Sequence, residues 1–203
     1  RELNMMLVID FSSSEFFGTK SCLKKEKLIE ISAVLAFSAI KNNDKVGLIL
    51  FTNKVELYIP AKKGRKHVLR IIRELVNFNP ENQKTDINNV LIYLNNILKK
   101  KSIIFLMSDF IDKNYQKNVN IISKKHDLIG VCVLDSFEQK VKNIGFSPFY
   151  DSENNKHFWL DTSSKKVREQ VMESFNNYFN YFKKSFQKSG SDIIKINTDD
   201  PYI

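Results

Sequence analysis

A chain of 203 residues, 42% apolar and 27% charged, has the composition of an ordinary globular protein and can bury a substantial core. Its longest apolar helical stretch, residues 28–40, is interrupted by Glu30 and two serines and is too short and too polar to span a membrane. The formal charge of +9 raises nucleic acid as a partner, but only 5 of the 32 basic residues are arginine, the side chain preferred at base edges. The scarcity of arginine therefore argues against nucleic-acid recognition, and a basic nucleic-acid-binding domain is kept as an alternative only.

The cysteines predict a reducing compartment. Cys132 lies in an apolar run, where a small buried hydrophobic residue is expected, and Cys22 lies in a Lys-rich stretch. The three histidines lie far apart in the sequence and match no zinc motif. No signal peptide precedes the first apolar run, which follows Arg1 almost at once. We expect the chain to be a cytoplasmic piece of a longer protein. The alternative that a segment before Arg1 tethers it to a membrane is left open.

The first half of the chain alternates between strand and helix patterns. The apolar run at residues 4–10 predicts a buried strand, and the 3.6-residue period of 26–44 predicts an amphipathic helix. Residues 45–52 and 55–60 predict two strands joined by a short turn, the second ending on a proline and therefore antiparallel at a sheet edge. Residues 64–78 predict a second helix. The expected apolar faces of the two helices are Leu28, Ile31, Leu35, Ala39 and Ile40, and Val68, Ile72, Leu75 and Val76.

The second half continues the alternation and adds an aromatic hairpin. The predicted elements are helices over 85–100, 114–125 and 165–189, strands over 102–110, 127–135 and 192–197, and a hairpin over about 144–161. Gly190 is expected to end the long helix as its C′ residue. The hairpin is expected to be an accessory surface or a lid, with most of its rings packed against the long helix.

This alternation predicts a Rossmann-like α/β fold. Strands separated by helices form a mostly parallel sheet, here of six strands with one antiparallel edge strand, covered by helices on both faces. The sequence contains no repeat, no low-complexity tract and no Gly-, Pro- or Ser-rich linker. We expect a single domain over residues 1–203.

Polar residues follow two of the predicted strands. Asp10 ends the first and is followed by Ser12 and Ser14, Asp109 follows an apolar strand, and Thr85 begins a helix between them. In an open parallel sheet such strand ends meet at one edge, where ligands bind. The five side chains offer hard oxygen donors with only two formal charges, which suits Mg²⁺ or Mn²⁺ and not zinc.

The order Asp-x-Ser-x-Ser, then Thr, then Asp at a strand end resembles the metal-ion-dependent adhesion site of von Willebrand factor A (vWA) domains. The whole chain also resembles a narrower bacterial branch, the "domain of unknown function 58" family, often encoded beside MoxR-type AAA+ ATPases. The stretches that carry this second resemblance are residues 17–19, 43–51, 64–67, 108–110 and 160–162, with Asp151 and Glu153.

The resemblance implies a role for each residue at the metal. Ser12, Ser14 and Thr85 would contact the ion through their hydroxyls, and Asp10 and Asp109 would act mainly through bridging waters. A carboxylate from a partner protein would complete the coordination. The resemblance also implies a non-enzymatic interaction module that works with a MoxR-type AAA+ ATPase or its client, in a chaperone-like or assembly role.

Three residues are expected to modulate the site or meet the partner. Glu15 stands where the family usually has an apolar residue and is expected to crowd the site or add a carboxylate. Lys84 stands close to Thr85, where a glycine is common, so its ammonium is expected to compete with the cation. Arg65, with Lys62 and Lys63, is a candidate for steering an acidic partner.

Other readings of the same residues stay open. The serines fit a solvated turn, Thr85 fits a helix N-cap, and Asp109 fits an ordinary strand end. A haloacid-dehalogenase-like phosphatase would use Asp10 as its nucleophile, but that class needs a second acid where this chain has Ser12. We therefore expect no catalysis by this chain.

Overall fold

A computed structural model of the chain describes residues 2–12, 24–135, 141–151 and 156–199. Within these residues the predicted patterns form eight strands and five helices. The strands are β1 (Asn4–Asp10), β2 (Lys45–Phe51), β3 (Val55–Lys62), β4 (Ile103–Ser108), β5 (Asp127–Leu134), β6 (Phe146–Asp151), β7 (Lys156–Asp161) and β8 (Asp192–Asn197). The helices are α1 (Lys24–Lys41), α2 (Arg65–Asn77), α3 (Ile87–Ile97), α4 (Gln116–Ser123) and α5 (Lys165–Lys188).

Six strands form one sheet in the order β3-β2-β1-β4-β5-β8. Among its described strand pairs only β2 and β3 are antiparallel, so β3 is the predicted antiparallel edge strand. Strand β1 lies in the middle, between β2 and β4, and helices cover both its faces, which is why its sequence is a continuous apolar run. The predicted α/β fold is confirmed.

The central pair of strands places two acids side by side. Strand β1 ends at Asp10, and its parallel neighbour β4 ends one residue before Asp109. Both residues therefore lie at the same edge of the sheet, here called the carboxyl edge. The prediction that both strand ends meet at one edge of a parallel sheet is confirmed, and the two strands are neighbours in that sheet.

Side chains of β1 alternate between two cores. Met6 and Val8 belong to the core beneath α3, α4 and α5, whereas Leu7 and Ile9 belong to the core beneath α1 and α2. Because Asp10 lies two residues after Val8, the same alternation directs it toward the side of α3.

Helix α5 is deeply buried only in its C-terminal half. Phe182 and Phe186 are fully buried and pack over β5 at Gly130, where an added Cβ would lie 2.6 Å from the Phe182 ring. The helix ends at Lys188, and Gly190 adopts a left-handed φ of 72°, as predicted for its C′ position.

The buried faces of the first two helices differ in part from the predicted ones. In α1 the centre of the buried face carries small residues, which lets the helix lie close to the sheet and moves larger side chains to its flanks. Its buried residues include Leu28, Ser32, Ala36 and Ala39, whereas Ile31, Leu35 and Ile40 are only partly buried. In α2 the buried residues are Val68, Ile71 and Leu75, and the prediction for Val76, which is 54% exposed, is wrong.

The hairpin forms as predicted, with β6 and β7 paired antiparallel as a separate two-stranded sheet. Phe146 and Trp159 stack on each other at 5.1 Å between ring centroids. They are 67% and 60% exposed, so these two rings are not buried against the long helix, as was expected for most rings of the hairpin. The tip and the side chains of Phe149, Tyr150 and Phe158 lie outside the described residues. In the described ranges, no helix combines the length and apolar character needed to cross a membrane.

Candidate metal centre

The carboxyl edge gathers four of the five predicted ligands. Ser12 and Thr85 are both hydrogen-bonded to Asp10, and the negative charge of Asp109 is close enough to disfavour ionisation of Asp10. The fifth predicted ligand, Ser14, and the predicted modulator Glu15 lie outside the described residues.

Asp10 is fully buried and surrounded by hydrogen-bond donors. Its Oδ1 accepts the Ser12 backbone N–H at 2.8 Å, and its Oδ2 accepts the hydroxyls of Ser108 at 2.8 Å and Thr85 at 3.2 Å. Burial, and then the nearby charge of Asp109, raise the pKa of Asp10 to about 7, although the hydrogen bonds from Ser12 and Ser108 act in the opposite direction. The carboxyl is thus poised near neutral pH and would ionise more readily beside a cation.

Thr85 contacts Asp10 because its neighbour caps the helix. Asp86 is the N-cap of α3 and accepts the Asn89 backbone N–H at 2.8 Å, so the alternative in which Thr85 is the cap does not hold. The loop is also fixed from both sides: the Asp86 N–H donates to the Thr52 carbonyl at 3.2 Å, and the Ile87 N–H donates to Asp112 at 2.8 Å. The Thr85 hydroxyl is therefore left to face Asp10.

Glu56 on strand β3 anchors the loop segment that precedes Thr85. Its carboxylate accepts the backbone N–H groups of Glu81 at 2.7 Å and Asn82 at 3.1 Å, and the Thr52 hydroxyl at 2.6 Å. Burial alone would raise the pKa of Glu56, but these hydrogen bonds outweigh it and leave the pKa lowered. An ionised Glu56 thus anchors the loop that carries Thr85.

Residues 108–110 form a turn in which each side chain has a separate role. The Ser108 hydroxyl donates to Asp10 and accepts the Phe110 N–H at 3.0 Å, while the Ile111 N–H donates to Asp109 Oδ1 at 3.1 Å. Phe110 adopts a left-handed φ of 58°, which costs about 1–2 kcal/mol for a non-glycine residue. Its fully buried ring stacks on Phe182 at 4.0 Å between centroids and holds the turn in place.

A buried ammonium lies against the second acid. Lys24, the first residue of α1, donates from Nζ to Asp109 Oδ2 at 3.0 Å, and the two side chains are 0% and 1% exposed. A fully buried lysine is rare unless it is paired with an acid. The expected competitor for the cation was Lys84, which is exposed, whereas the lysine bonded to a predicted metal ligand is Lys24.

The other expected modulators lie away from the site. Strand β3 runs antiparallel, so it carries the chain back from the carboxyl edge, and Lys62 is opposite Val46 near the start of β2. Lys63 there donates to Glu2, and Arg65 begins α2 directly afterwards. The structure therefore places Lys62, Lys63 and Arg65 away from the carboxyl edge, because the hairpin reverses the direction of the chain before them.

Different lysines approach the site from the side of α5. A cavity of about 180 Å³ opens beside Asp109 and is lined by Phe179, Tyr178 and Lys195 among others. Lys195 lies over the Phe179 ring at 5.5 Å, and Lys113 lies over the Tyr178 ring at 5.1 Å. This side of the carboxyl edge is therefore both aromatic and basic.

The donor set fits a hard divalent cation. No group of three or more His, Cys, Asp and Glu side chains gathers among the described residues, so any metal here relies on hydroxyls beside the two carboxylates. A hydroxyl that donates its one proton to Asp10 can still offer an oxygen lone pair to a cation. Thr85 donates in this way, and Ser108 does so while it also accepts the Phe110 N–H. Oxygen donors of this kind suit Mg²⁺ or Mn²⁺.

Sequence reasoning missed Ser108, Lys24 and Glu56. Ser108 lies in the stretch 108–110 that was matched to the family, but only Asp109 was assigned a role. Lys24 lies in a Lys-rich stretch where no pattern separates one buried lysine from its exposed neighbours. Glu56 occupies an alternating strand, where a polar residue is expected on the exposed face.

Comparison with known proteins places the chain among relatives of unknown function. A family model described as "Protein of unknown function DUF58" matches residues 1–178. The chain is 21% identical over 204 residues to "Uncharacterized protein Rv1480" of Mycobacterium tuberculosis, across 98% of this chain and 63% of the relative. It therefore spans less than two thirds of the length of that curated relative.

Solved structures with a similar fold come from Bacteroides and from a mussel. BatB from Bacteroides thetaiotaomicron has a TM-score of 0.62 at 12% identity, over 96% of this chain and 90% of that one. An aerotolerance-related membrane protein from Bacteroides fragilis has a TM-score of 0.65 at 14% identity, over 97% and 92%. Proximal thread matrix protein 1 from the mussel byssus, with a zinc-occupied MIDAS motif, has a TM-score of 0.52 at 16% identity, over 65% and 38%. At these identities the likeness concerns the fold alone.

Proposed function

Because the chain belongs to the DUF58 family, whose function is unknown, we propose a function from its site: the protein is a non-enzymatic module that binds a partner protein through a divalent metal ion. In this proposal the carboxyl edge is a metal-ion-dependent adhesion site of the vWA type. Mg²⁺ or Mn²⁺ is the ion, and Asp10, Ser12, Thr85 and Asp109 are its described ligands, with Ser14 as the fifth.

One observation carries the proposal. Thr85 and Ser108 come from different elements, the loop before α3 and the end of β4, and both hydroxyls donate to the same oxygen of Asp10. This convergence positions hydroxyl oxygens beside two carboxylates at the edge of a parallel sheet, where ligands bind. A solvated turn would not need a buried acid at its centre.

The charge of the site favours an acidic partner. A divalent ion beside two carboxylates has no surplus negative ligand, so an open coordination position would favour an anionic oxygen. A carboxylate fits better than a phosphate, because the loops at the site contain no glycine-rich nest for phosphate oxygens. Lys195, which lines the cavity beside Asp109, and Lys113, which lies over Tyr178 of the same lining, would attract such a partner from solution.

The mussel protein supports a metal on this fold, since it carries zinc at its MIDAS motif. The oxygen-only donors described here favour Mg²⁺ or Mn²⁺ over zinc. The identity of the partner rests on the family resemblance: a MoxR-type AAA+ ATPase or its client is the proposed class.

Asp10 is poorly suited to the rival role of phosphatase nucleophile. It is fully buried, and both of its carboxylate oxygens already accept hydrogen bonds. The residue two positions later is Ser12, which cannot protonate a leaving group near neutral pH. These features support a binding role in place of catalysis.

Capture experiments test the proposal. The immobilised chain should retain partner proteins from a bacterial lysate in Mg²⁺ or Mn²⁺, release them in EDTA, and bind them less strongly as salt rises. Asp10→Ala or Thr85→Ala should abolish the retention while the variant remains folded. For Asp10→Ala, removing one of two neighbouring acids relieves their repulsion in the metal-free protein. Amidating the carboxylates of the captured protein should also abolish binding.

Asp127→Ala is the matched control, since Asp127 begins β5 at the opposite edge of the sheet. That variant should retain the partner normally. Retention that persists in EDTA, or that Asp10→Ala leaves unchanged, would contradict the proposal and direct attention to another surface.

A further inference from the structure

We propose that Lys24 is a built-in competitor for the metal: its ammonium holds Asp109 in the metal-free protein and must leave Asp109 before a divalent ion can use that carboxylate. This inference rests on the proposed function and adds its regulation. It predicts a site whose affinity is set by a lysine from outside the family motif.

The first argument is the occupancy of Asp109. Its Oδ2 accepts Lys24 Nζ at 3.0 Å, and its Oδ1 accepts the Ile111 N–H at 3.1 Å. Both carboxylate oxygens therefore have partners inside the protein. The Ile111 N–H belongs to the backbone of the turn and is fixed there. The lysine side chain has rotatable bonds along its whole length, which allow its ammonium to move away from Asp109.

The second argument is the burial of Lys24. Its side chain is 0% exposed, which disfavours a charge. A buried ammonium requires a strong compensating contact, and the ion pair with Asp109 at 3.0 Å is such a contact.

The third argument is charge. With Lys24 in place, one positive charge already balances Asp109, and a divalent ion would enter beside a like charge in a poorly solvated site. With Lys24 removed, the ion meets the two carboxylates without that ammonium beside Asp109. Metal affinity should therefore rise when the ammonium is deleted and the size of the side chain is kept.

The test is the affinity for Mn²⁺ at neutral pH, measured by calorimetry on the wild-type chain and on Lys24→Met. The methionine variant should bind Mn²⁺ about tenfold more tightly or better, which corresponds to removing one like charge from a partly screened site. Its melting temperature should also rise more steeply with Mn²⁺ than that of the wild type. Lys27→Met is the matched control, because Lys27 is a buried lysine of the same helix whose ion pair is with Glu30.

The outcomes separate this inference from the function on which it rests. Equal Mn²⁺ affinity of the wild type and Lys24→Met, with loss of binding in Asp10→Ala, would overturn the role of Lys24 and leave the metal site standing. Absence of Mn²⁺ binding in all four proteins would overturn both. If Lys24→Met does not fold without metal, folding on addition of Mn²⁺ would support the inference, and failure to fold at any Mn²⁺ concentration would overturn it.

Discussion

The ends of β1 and β4 present the same residue type at neighbouring positions and stabilise it in opposite ways. Asp10, at the end of β1, is surrounded by a backbone N–H and two hydroxyls, and burial raises its pKa to about 7. Asp109, after β4, is paired with the buried ammonium of Lys24. Asp10 is thus stabilised by hydrogen bonds and has a raised pKa, whereas Asp109 is stabilised by an ion pair.

This difference determines what each acid can do. A carboxyl held by hydroxyl donors can keep those donors and accept a cation beside them, because the hydroxyl oxygens retain their lone pairs. A carboxylate paired with an ammonium must lose that partner before a metal ion can take its place. Asp10 can therefore accept a metal ion without losing a hydrogen-bond partner, whereas Asp109 cannot, although both residues are aspartates at strand ends.

The largest expected effect comes from removing the charge of Asp109. Asp109→Asn keeps the shape of the side chain but removes the buried ion pair with Lys24, which should lower the free energy of unfolding by about 3 kcal/mol. Urea denaturation of the metal-free protein measures this loss. Asp10→Asn is the comparison, and since it removes no ion pair with Lys24, its loss should be about 1 kcal/mol. Equal losses in the two variants would show that the two acids are stabilised alike.

The next effect concerns Glu56, which anchors the loop to Thr85. Because the pKa of Glu56 is lowered in the folded protein, its charge stabilises the fold above its ordinary value of 4.5, and this stabilisation is lost as pH falls further. Glu56→Gln should lower the free energy of unfolding by about 1–2 kcal/mol at neutral pH, a modest loss for a partly exposed group. Urea denaturation at several pH values should show the difference from wild type shrinking below pH 4.5. A difference independent of pH would mean that the charge of Glu56 does not hold the loop.

A smaller effect is expected for Ser108, which lies between the two acids. Ser108→Ala removes a hydrogen bond to Asp10 and the acceptor of the Phe110 N–H, and should cost about 1 kcal/mol. It should also raise the pKa of Asp10, since the Ser108 hydroxyl favours the ionised form. Carboxyl carbon NMR shifts followed against pH measure this change, and an unchanged Asp10 titration would argue against the Ser108 contact.

The smallest effect is expected in the hairpin of β6 and β7. Trp159 is 60% exposed, and of the described rings Phe146 stacks on it. Trp159→Ala should therefore change the free energy of unfolding by no more than about 1 kcal/mol, the range of an aromatic pair beyond its buried area. Deleting residues 152–156 should likewise leave the protein folded. A large fall in melting temperature for either variant would show that the hairpin is part of the core.

The sequence predicted those features that depend on periodicity and strand ends. The apolar runs of β1 and β4 and the alternation of strands with helices were enough to place Asp10 and Asp109 at one edge of a parallel sheet. Local capping chemistry was less decisive, because Thr85 and Asp86 are both acceptable N-caps and only the tertiary contact to Asp10 separates them. The DUF58 resemblance was carried by matching stretches along the chain, not by the metal residues alone.

The contacts that were missed depend on packing between distant segments. Lys24 and Asp109 are 85 positions apart, and no local pattern indicates which lysine of a Lys-rich stretch becomes buried. The buried face of α1 differs from the predicted one for a similar reason. Ser32 and Ala36 are buried because their small size lets the helix lie close to the sheet, and not because they are strongly hydrophobic. Arg65 lies away from the site because β3 runs antiparallel to β2 and returns the chain to the opposite edge of the sheet.

The most direct test of the central claim is anomalous diffraction from crystals of the wild-type chain soaked in Mn²⁺. The account predicts a Mn²⁺ peak at the carboxyl edge between Asp10, Ser12, Thr85 and Asp109, with the hydroxyl oxygens of Ser12 and Thr85 at about 2.1 Å from the ion. It also predicts that Lys24 Nζ has moved away from Asp109 when the ion is bound. The absence of a peak there in crystals that take up Mn²⁺ elsewhere would contradict the metal centre.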